Sequence, residues 1–476
     1  MATARPTHDR AYRAIWRWHF YAGLIVAPFL LILAVTGAIY LFNDEIDDAL
    51  YPQLRFVAAH QQQAPPSRMI AAALAAHPGA ATRIDLPAAG NRAAVVFVTP
   101  DRGDPVRVAV DPGTARVLGA TVYDATLIGF AEAVHGSLTL GTVGDRIVEL
   151  AACWAIVLIA TGLYLWWPRG RGGRGLAGIL YPRLARGGRA FWRDLHAVTG
   201  LWSVALIAFL LLTGLPWAGV QGDLLNRGTA LLGIGYPAAD RTRSGPAPAA
   251  AVPMRTALGA VPWTMELAPM PASRPAVDDA ADHAGHVGHA MPAAGYDDAA
   301  VVASDGIAAT LSRRHGLAGG YRLFLPDGPT GVFTASTYPD RPQGQRTLSF
   351  DRWSGDLIRA VGYRDYGWAA KAIELGVQLH MGNYFGLANQ VVMLATCIAI
   401  VMLVVSGIAM WWKRRPAGRL AAPARMPDAR IGGAIAILVV AGMLFPLLGL
   451  SLLVIVIVDR CALFCMWGDP RSEAGA

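Results

Sequence analysis

Residues 147 to 169 read IVELAACWAIVLIATGLYLWWPR. Their apolar part, about Ile147 to Trp167, has the roughly 20 residues that a helix needs to cross a bilayer. It ends on Thr161-Gly162, a tryptophan pair and a basic residue. A second run, Leu387 to Trp412, ends similarly on Ser406-Gly407, a tryptophan pair and a basic residue. The shared ending predicts two related membrane spans.

The composition agrees with a membrane protein. Hydrophobic residues make up 54% of the 476 residues and charged residues 16%, against about 25% charged in a typical soluble domain. The net charge of +8 does not indicate nucleic-acid binding, because the arginines cluster beside apolar runs, where they orient spans. The sequence contains no dinucleotide fingerprint, P-loop or metalloprotease motif. The sequence therefore does not predict a nicotinamide- or flavin-binding domain within this chain.

Five apolar runs are long enough to span a membrane. The remaining three are Tyr21 to Phe42, Leu201 to about Val220, and Ile431 to Val458, the last with a possible kink at Pro446. Arginine clusters before the first run, after the second and after the fourth place these segments in the cytoplasm. Five passes then put the C-terminus outside. The first run is longer than a usual signal-peptide core, which favours a permanent anchor over a cleaved signal.

These assignments divide the chain into twelve predicted segments. In chain order they are a cytoplasmic N-terminus (1–20), the first span (21–43), an external module (44–125), an external segment that contains His135 and leads into the second span, together with that span (126–167), a cytoplasmic Arg-rich loop (168–195), the third span (196–220), an external Pro/Ala/His-rich insertion (221–297), a second external module (298–366), an external segment that contains His380 and leads into the fourth span, together with that span (367–412), a cytoplasmic loop (413–430), the fifth span (431–458) and a C-terminal tail (459–476).

The chain repeats itself. A Trp-Arg stretch ending in a histidine precedes both the first and the third span, and these spans contain Thr36-Gly37 and Thr213-Gly214. The loops from about Ser67 to Val122 and from about Asp298 to Tyr363 each read as a helix followed by strands with a Gly turn. We therefore expect an α-helical integral membrane protein built from duplicated two-span units, with a fifth span and two small external α+β modules.

Four histidines occupy matching positions in the repeat. His19 and His196 begin the first and third spans on the cytoplasmic side, and His135 and His380 approach the second and fourth spans from outside. Two imidazoles make a haem iron six-coordinate and suited to electron transfer. The sequence thus predicts two bis-His b-type haems, one near each membrane face. The plainer alternative is that these are interfacial residues hydrogen-bonded to water or headgroups.

Other side chains are candidates for supporting roles. Arg17 and Arg193, beside the inner histidines, could pair with haem propionates or lipid phosphates. The insertion 221–297 is expected to be disordered. Its tract His283, His286 and His289 could bind Cu, Ni or Zn or be part of a solvated linker. Cys461 and Cys465 lie four residues apart, which allows a disulfide, a metal contact or two ordinary thiols.

The quoted motifs resemble the PepSY-associated transmembrane family, which includes PiuB-like and FoxB-like iron-regulated membrane reductases. The similarity covers about residues 10–415; the fifth span and the lengthened insertion depart from the family pattern. The resemblance implies PepSY-like external modules and a di-haem bacterial inner-membrane protein, surrounded by lipid, with His19, His196, His135 and His380 as axial ligands. It implies electron transfer from a cytoplasmic or quinone donor to an external metal chelate, ferric iron or a ferric siderophore.

Two other functions stay open from the sequence. PepSY-like modules also occur in proteins that bind or inhibit peptidases, so the chain could be a non-enzymatic membrane scaffold. The histidine tract also allows a metal-uptake accessory protein, although transport calls for polar residues in the middle of the spans, which the first, third and fourth spans almost lack.

Overall fold

A computed structural model of the chain describes residues 7–60, 62–167, 177–184, 187–237, 252–259, 261–273, 297–415 and 432–467. The chain folds into two units. The first, which we call the helical unit, comprises residues 1–41, 132–225 and 390–476. The second, the sheet unit, comprises residues 42–131 and 226–389.

The helices within the described ranges follow one another along both units. They are α1 (Thr7–Tyr40), α2 (Asn43–Leu50), α3 (Pro52–Arg55), α4 (Pro66–Ala76), α5 (Leu127–Ser137), α6 (Gly141–Trp166), α7 (Arg189–Gly214), α8 (Gly219–Leu231), α9 (Met254–Leu258), α10 (Asp298–His315), α11 (Trp368–His380), α12 (Leu387–Trp412), α13 (Gly432–Leu444) and α14 (Pro446–Trp467).

Four described helices are long and apolar enough to cross a membrane. They are Ala11–Tyr40, Gly141–Trp166, Arg189–Trp217 and Leu387–Trp412, and they coincide with the first four predicted spans. The first and third begin earlier than predicted, so His19 and His196 lie inside helices rather than at their starts. No Pro occurs in the residues just before the predicted starts, so helical hydrogen bonding continues through them.

The predicted fifth span is not one continuous helix. The chain breaks before Pro446, where α13 ends and α14 begins, because proline lacks the N–H and clashes with the preceding turn. The two helices fold back on each other: a Cβ atom on Gly442 would lie 2.9 Å from Cα of Gly449. In one continuous helix, residues seven apart would be separated by about 10 Å along the axis. The prediction of a single span was therefore wrong.

The hairpin of α13 and α14 packs against α6. Leu448 is buried in a cluster with Cys153 and Val157, and the Trp154 indole Nε1 donates to Ser451 Oγ over 3.1 Å. Cys153 and Cys397 are free and buried. The side chains of Cys461 and Cys465 lie outside the described residues.

The sheet unit corrects the prediction of two separate modules. Each predicted segment does contain one helix and four strands, but all eight strands form one antiparallel sheet. The strands are β1 (Ala80–Leu86), β2 (Ala94–Thr99), β3 (Val106–Val110), β4 (Val117–Val122), β5 (Tyr321–Phe324), β6 (Val332–Thr337), β7 (Arg346–Asp351) and β8 (Leu357–Gly362). Their spatial order is β4-β3-β2-β1-β5-β6-β7-β8. The first strand of each segment pairs with the other, Ile84 opposite Leu323.

Both segments contribute to one hydrophobic core. Alternate residues of the strands, among them Ile84 and Leu323, are fully buried with Met69 of α4 and Leu311 of α10. Pairing β1 with β5 leaves neither strand as an exposed edge, where unpaired backbone groups would invite aggregation. A small helix-and-four-strand module would bury a smaller fraction of its surface alone, so sharing the core stabilises both.

Part of the predicted disordered insertion is ordered. Residues 219–231 continue as α8. Further along, Met254, Trp263 and Met265 are buried, and the Thr347 hydroxyl lies 3.3 Å from the Met265 sulfur. Large apolar side chains within the Pro/Ala-rich stretch provide enough burial to fix these pieces, which compositional reasoning overlooked.

Candidate functional site

His19 of α1 is held by a hydroxyl of α6. Its Nδ1 lies 2.9 Å from Thr161 Oγ1. The Thr161 hydroxyl in turn donates to the Val157 carbonyl, one turn earlier in its own helix, over 2.7 Å. The ring is therefore tied to a neighbouring span through a side chain that is itself fixed to the backbone.

His135 of α5 has the same arrangement with α1. Its Nδ1 lies 3.1 Å from Thr36 Oγ1, and the Thr36 hydroxyl donates to the Ile32 carbonyl over 2.8 Å. Just after this histidine, the chain turns through positive φ at Leu138 and Thr139 before α6 begins. This turn separates the histidine helix from the membrane-spanning helix that follows it.

His196 of α7 is held by α12. Its Nδ1 lies 3.0 Å from Ser406 Oγ and 3.1 Å from the Leu403 carbonyl oxygen. Ser406 donates its own hydrogen to the Met402 carbonyl over 2.6 Å. Three of the four predicted histidines thus share one local design, in which Nδ1 meets a hydroxyl of another helix.

A glycine follows each of these hydroxyl residues and lies beside the same ring. A Cβ atom on Gly37 would be 3.1 Å from Cε1 of His135, one on Gly162 3.3 Å from Cε1 of His19, and one on Gly407 3.7 Å from Cε1 of His196. The Ser/Thr-Gly pair therefore does two things at each position. Its hydroxyl fixes the ring nitrogen, and its missing side chain admits the ring.

His19 and His196 come together. Their ring centroids lie 6.3 Å apart with the planes at 90°. A metal–imidazole bond is about 2 Å long and a ring nitrogen lies about 1 Å from the ring centre, so imidazoles on opposite sides of one metal have centroids about 6 Å apart. Edge-to-face ring pairs without a metal fall in the same range. The centroid distance of the pair therefore fits a shared iron, and it also fits a ring pair without a metal.

His380 belongs to the sheet unit, where it is the last residue of α11. The end of this helix is fixed by two residues that follow it: Asn389, in the first turn of α12, donates to the Leu379 carbonyl over 2.8 Å, and Asn383, in the loop, donates to the Gln378 side chain over 3.0 Å. His135 belongs to the helical unit, and its pairing with His380 stays a prediction.

The helix that ends at His380 is anchored by a buried carboxylate. Glu374 accepts hydrogen bonds from Thr264 Oγ1 and Gln345 Nε2, each over 2.9 Å, and the Tyr338 hydroxyl lies 3.4 Å away. Burial raises the pKa of Glu374, although these hydrogen bonds oppose the rise. Burial and the nearby carboxylate also raise the pKa of Tyr338. No sequence pattern marks this group, since Glu374 is the only acidic residue of α11.

The two arginines proposed for haem propionates have protein partners. Arg193 Nη2 lies 2.7 Å from Asp194, whose fully buried carboxylate also binds Arg183 at 2.6 Å. The Arg17 guanidinium carbon lies 5.6 Å from the centre of the Tyr21 ring. Their role toward propionates stays a prediction.

Two buried acids in the helical unit were missed as structural anchors. Asp194 ties the segment before α7 to that helix through Arg183. Glu149 of α6 accepts from the backbone N–H groups of Val220 and Gln221, each over 2.9 Å, at the start of α8, where free N–H groups favour a carboxylate. In the sequence, each of these residues is an acid within or beside an apolar run. Such an acid is costly to bury unless it is paired, and this could have marked both as anchors.

The histidine tract of the insertion, His283, His286 and His289, lies outside the described residues. Among the residues that are described, no three His, Cys, Asp or Glu side chains cluster as metal ligands would. A bis-His haem needs only two protein ligands, so the His19–His196 pair is the candidate centre that the described residues provide.

The comparison with known proteins agrees with the order of the spans and motifs. The model of the PepSY-associated TM region matches residues 16–414, which include the four apolar helices almost entirely, the sheet unit and all four predicted histidines. No curated protein matches the chain. Because the match covers most of the sequence, the chain belongs to the family of proteins with a PepSY-associated transmembrane region.

Proposed function

We propose that this protein transfers electrons across a bacterial inner membrane and holds two b-type haems with paired histidines. His19 and His196 would hold one, and His135 and His380 the other. The observation that carries the proposal is the approach of His19 and His196 from separate helices to a centroid distance of 6.3 Å. Imidazoles within or near membrane spans are costly to bury and are kept mostly for function.

The chain's own contribution is to hold and orient the ligands. The rings of His19 and His196 are each bonded through Nδ1 to a hydroxyl on another helix, and this kind of outer contact fixes the orientation of a metal-binding histidine. Haem iron with two imidazole ligands takes up and releases one electron.

The direction and the acceptor follow from the orientation and from the family resemblance. With the N-terminus in the cytoplasm, the sheet unit would lie outside the membrane and electrons would leave on that side. We propose Fe(III) in a chelate such as a siderophore as acceptor, reduced to Fe(II) by one electron, as the PiuB-like and FoxB-like reductases suggest. The donor would be a cytoplasmic molecule or a quinone.

Purified full-length protein expressed with added haem tests the proposal. We expect reduced b-type absorbance bands and two haems per chain. His19→Ala and His196→Ala should each remove the same haem, and His135→Ala and His380→Ala the other. His77→Ala, in the loop between α4 and β1, is the matched control and should retain both.

The opposite result is equally clear. If folded protein expressed with added haem shows no b-type bands, the proposal is overturned and the scaffold or peptidase-binding alternative is favoured. A chain that keeps both haems in all four histidine variants would show that haem is bound elsewhere.

A further inference from the structure

We propose that Thr36, Thr161 and Ser406 are positioning residues that fix the proton of each anchored histidine on Nδ1 and leave the lone pair on Nε2. The inference rests on the proposed function, because it concerns how the chain prepares these rings for iron. It assigns a chemical task to the Ser/Thr-Gly pairs.

The count of hydrogens decides which atom donates. A Ser or Thr hydroxyl has one hydrogen. Thr161 gives its hydrogen to the Val157 carbonyl at 2.7 Å, so toward His19 its oxygen can only accept. The short 2.9 Å contact between Thr161 Oγ1 and His19 Nδ1 is then a hydrogen bond in which the ring nitrogen donates.

The same count holds for the other two rings. Thr36 gives its hydrogen to the Ile32 carbonyl, and Ser406 gives its hydrogen to the Met402 carbonyl. Neither hydroxyl has a second hydrogen for the histidine that it contacts. Nδ1 of His135 and Nδ1 of His196 must therefore donate as well.

Backbone carbonyls next to the hydroxyls agree with this assignment. Nδ1 of His196 lies 3.1 Å from the Leu403 carbonyl oxygen, which can only accept. The Leu158 and Leu33 carbonyls, three residues before Thr161 and Thr36, accept hydrogen bonds from the rings of His19 and His135. At His196 a donating Nδ1 satisfies both the Leu403 carbonyl and the Ser406 hydroxyl, whereas a deprotonated Nδ1 would face the lone pairs of the carbonyl and could gain a donor only by breaking the Ser406–Met402 hydrogen bond.

The consequence concerns the other ring nitrogen. A neutral imidazole has one N–H, so a proton held on Nδ1 leaves Nε2 as the lone-pair nitrogen. Neutral imidazole with a free lone pair is the form that binds metals, and a hydrogen bond from the other nitrogen raises its basicity and fixes the ring. The hydroxyls thus select the tautomer that is competent to bind iron before any iron arrives.

Replacing Thr161 by Val removes the hydroxyl and keeps the shape, so Thr161→Val is the principal variant. We expect haem to bind about tenfold more weakly at the His19–His196 site, the lower end of the 10–100-fold range for outer-contact changes, because the carbonyl still accepts. The electron paramagnetic resonance signal and the midpoint potential of that haem should shift. Thr161→Ser restores the hydroxyl and should restore affinity and signal.

Thr396→Val is the matched control. Thr396 is a buried α12 residue whose hydroxyl donates to the Val392 carbonyl over 2.9 Å, like the three positioning residues. Its loss removes the same helix-internal hydrogen bond and should leave affinity and signal unchanged. Comparing thermal unfolding of the two Val variants separates a general loss of stability from a change at the histidine.

Three results would bear on the inference. The inference would be overturned if the wild type binds two haems and Thr161→Val leaves the haem affinity, the signal and the midpoint potential unchanged. That result would leave the proposed function intact. Absence of haem from the wild type would instead overturn the proposed function. If Thr161→Val does not fold, Thr36→Val provides the same comparison at His135, and an unchanged signal there would likewise overturn the inference.

Discussion

Gly37 lies against the ring of His135, so closely that a Cβ atom on the glycine would be 3.1 Å from Cε1 of the ring. Carbon atoms in van der Waals contact are about 3.5–4.0 Å apart. The equivalent distance between Gly407 and His196 is 3.7 Å, which is an ordinary contact. There is therefore less space between Gly37 and the ring of His135 than between Gly407 and the ring of His196.

This difference predicts unequal effects of one added methyl group. Gly37→Ala should push His135 aside and lower the free energy of unfolding by about 1 kcal/mol, the lower end for overpacking. It should also change the absorbance of the outer haem. Gly407→Ala, the matched control, should change neither. Thermal unfolding and haem spectra of both variants check this, and equal effects would contradict it.

The shared core of the sheet unit predicts that damage in one half spreads to the other. Leu323 of β5 is fully buried, and truncating such a residue costs about 2–5 kcal/mol. Leu323→Ala should increase amide hydrogen exchange in β2 and β3 as well as in β6 and β7. Val302→Ala, at a residue that is 69% exposed, should leave exchange unchanged. Loss of protection confined to residues 298–366 would indicate two independent modules.

Glu374 predicts a pH dependence of stability. Because burial raises its pKa in the folded protein, the folded chain keeps this proton to higher pH than the unfolded chain. The free energy of unfolding should therefore fall as pH rises from the ordinary value of about 4.3 through the raised one, by up to about 1.4 kcal/mol per pH unit.

Thermal unfolding of the sheet unit in the full chain, between about pH 4 and pH 8, measures this slope. Glu374→Gln has no titrating carboxyl and should lose that contribution. Asp104→Asn, at an exposed position, should keep it. A Glu374→Gln variant with the slope of the wild type would show that the carboxyl does not titrate differently in the two states.

The ion pairs of Asp194 predict that this residue holds the segment 177–184 in place. Its carboxylate receives Arg183 at 2.6 and 2.9 Å and Arg193 at 2.7 Å. Asp194→Asn should release the segment and accelerate chymotrypsin cleavage after Leu184, which is exposed, several-fold. Arg193→Gln leaves the Arg183 contacts and should have a smaller effect. Cleavage at the wild-type rate in Asp194→Asn would exclude this role.

Particular residues show where sequence reasoning succeeded and where it did not. The first four spans were predicted because length and polarity are local properties. Pro446 was recognised as a possible kink, but the close contact between Gly442 and Gly449 that turns the kink into a hairpin depends on how two helices pack. The core around Met254 and Met265 was missed because Pro and Ala dominate its neighbourhood in the sequence, and the contact of Met265 with Thr347 joins residues 82 positions apart.

The first four membrane-spanning segments and the strands could be read from the sequence, because bilayer thickness and strand alternation each impose a requirement that is visible along the chain, and the repeat marked four histidines at matching positions. Tertiary structure alone decided that β1 pairs with β5 and that Thr161, 142 residues away, meets His19. Those contacts depend on the rotation and packing of whole elements, which are set by the sum of many weak interactions between distant residues rather than by any local pattern.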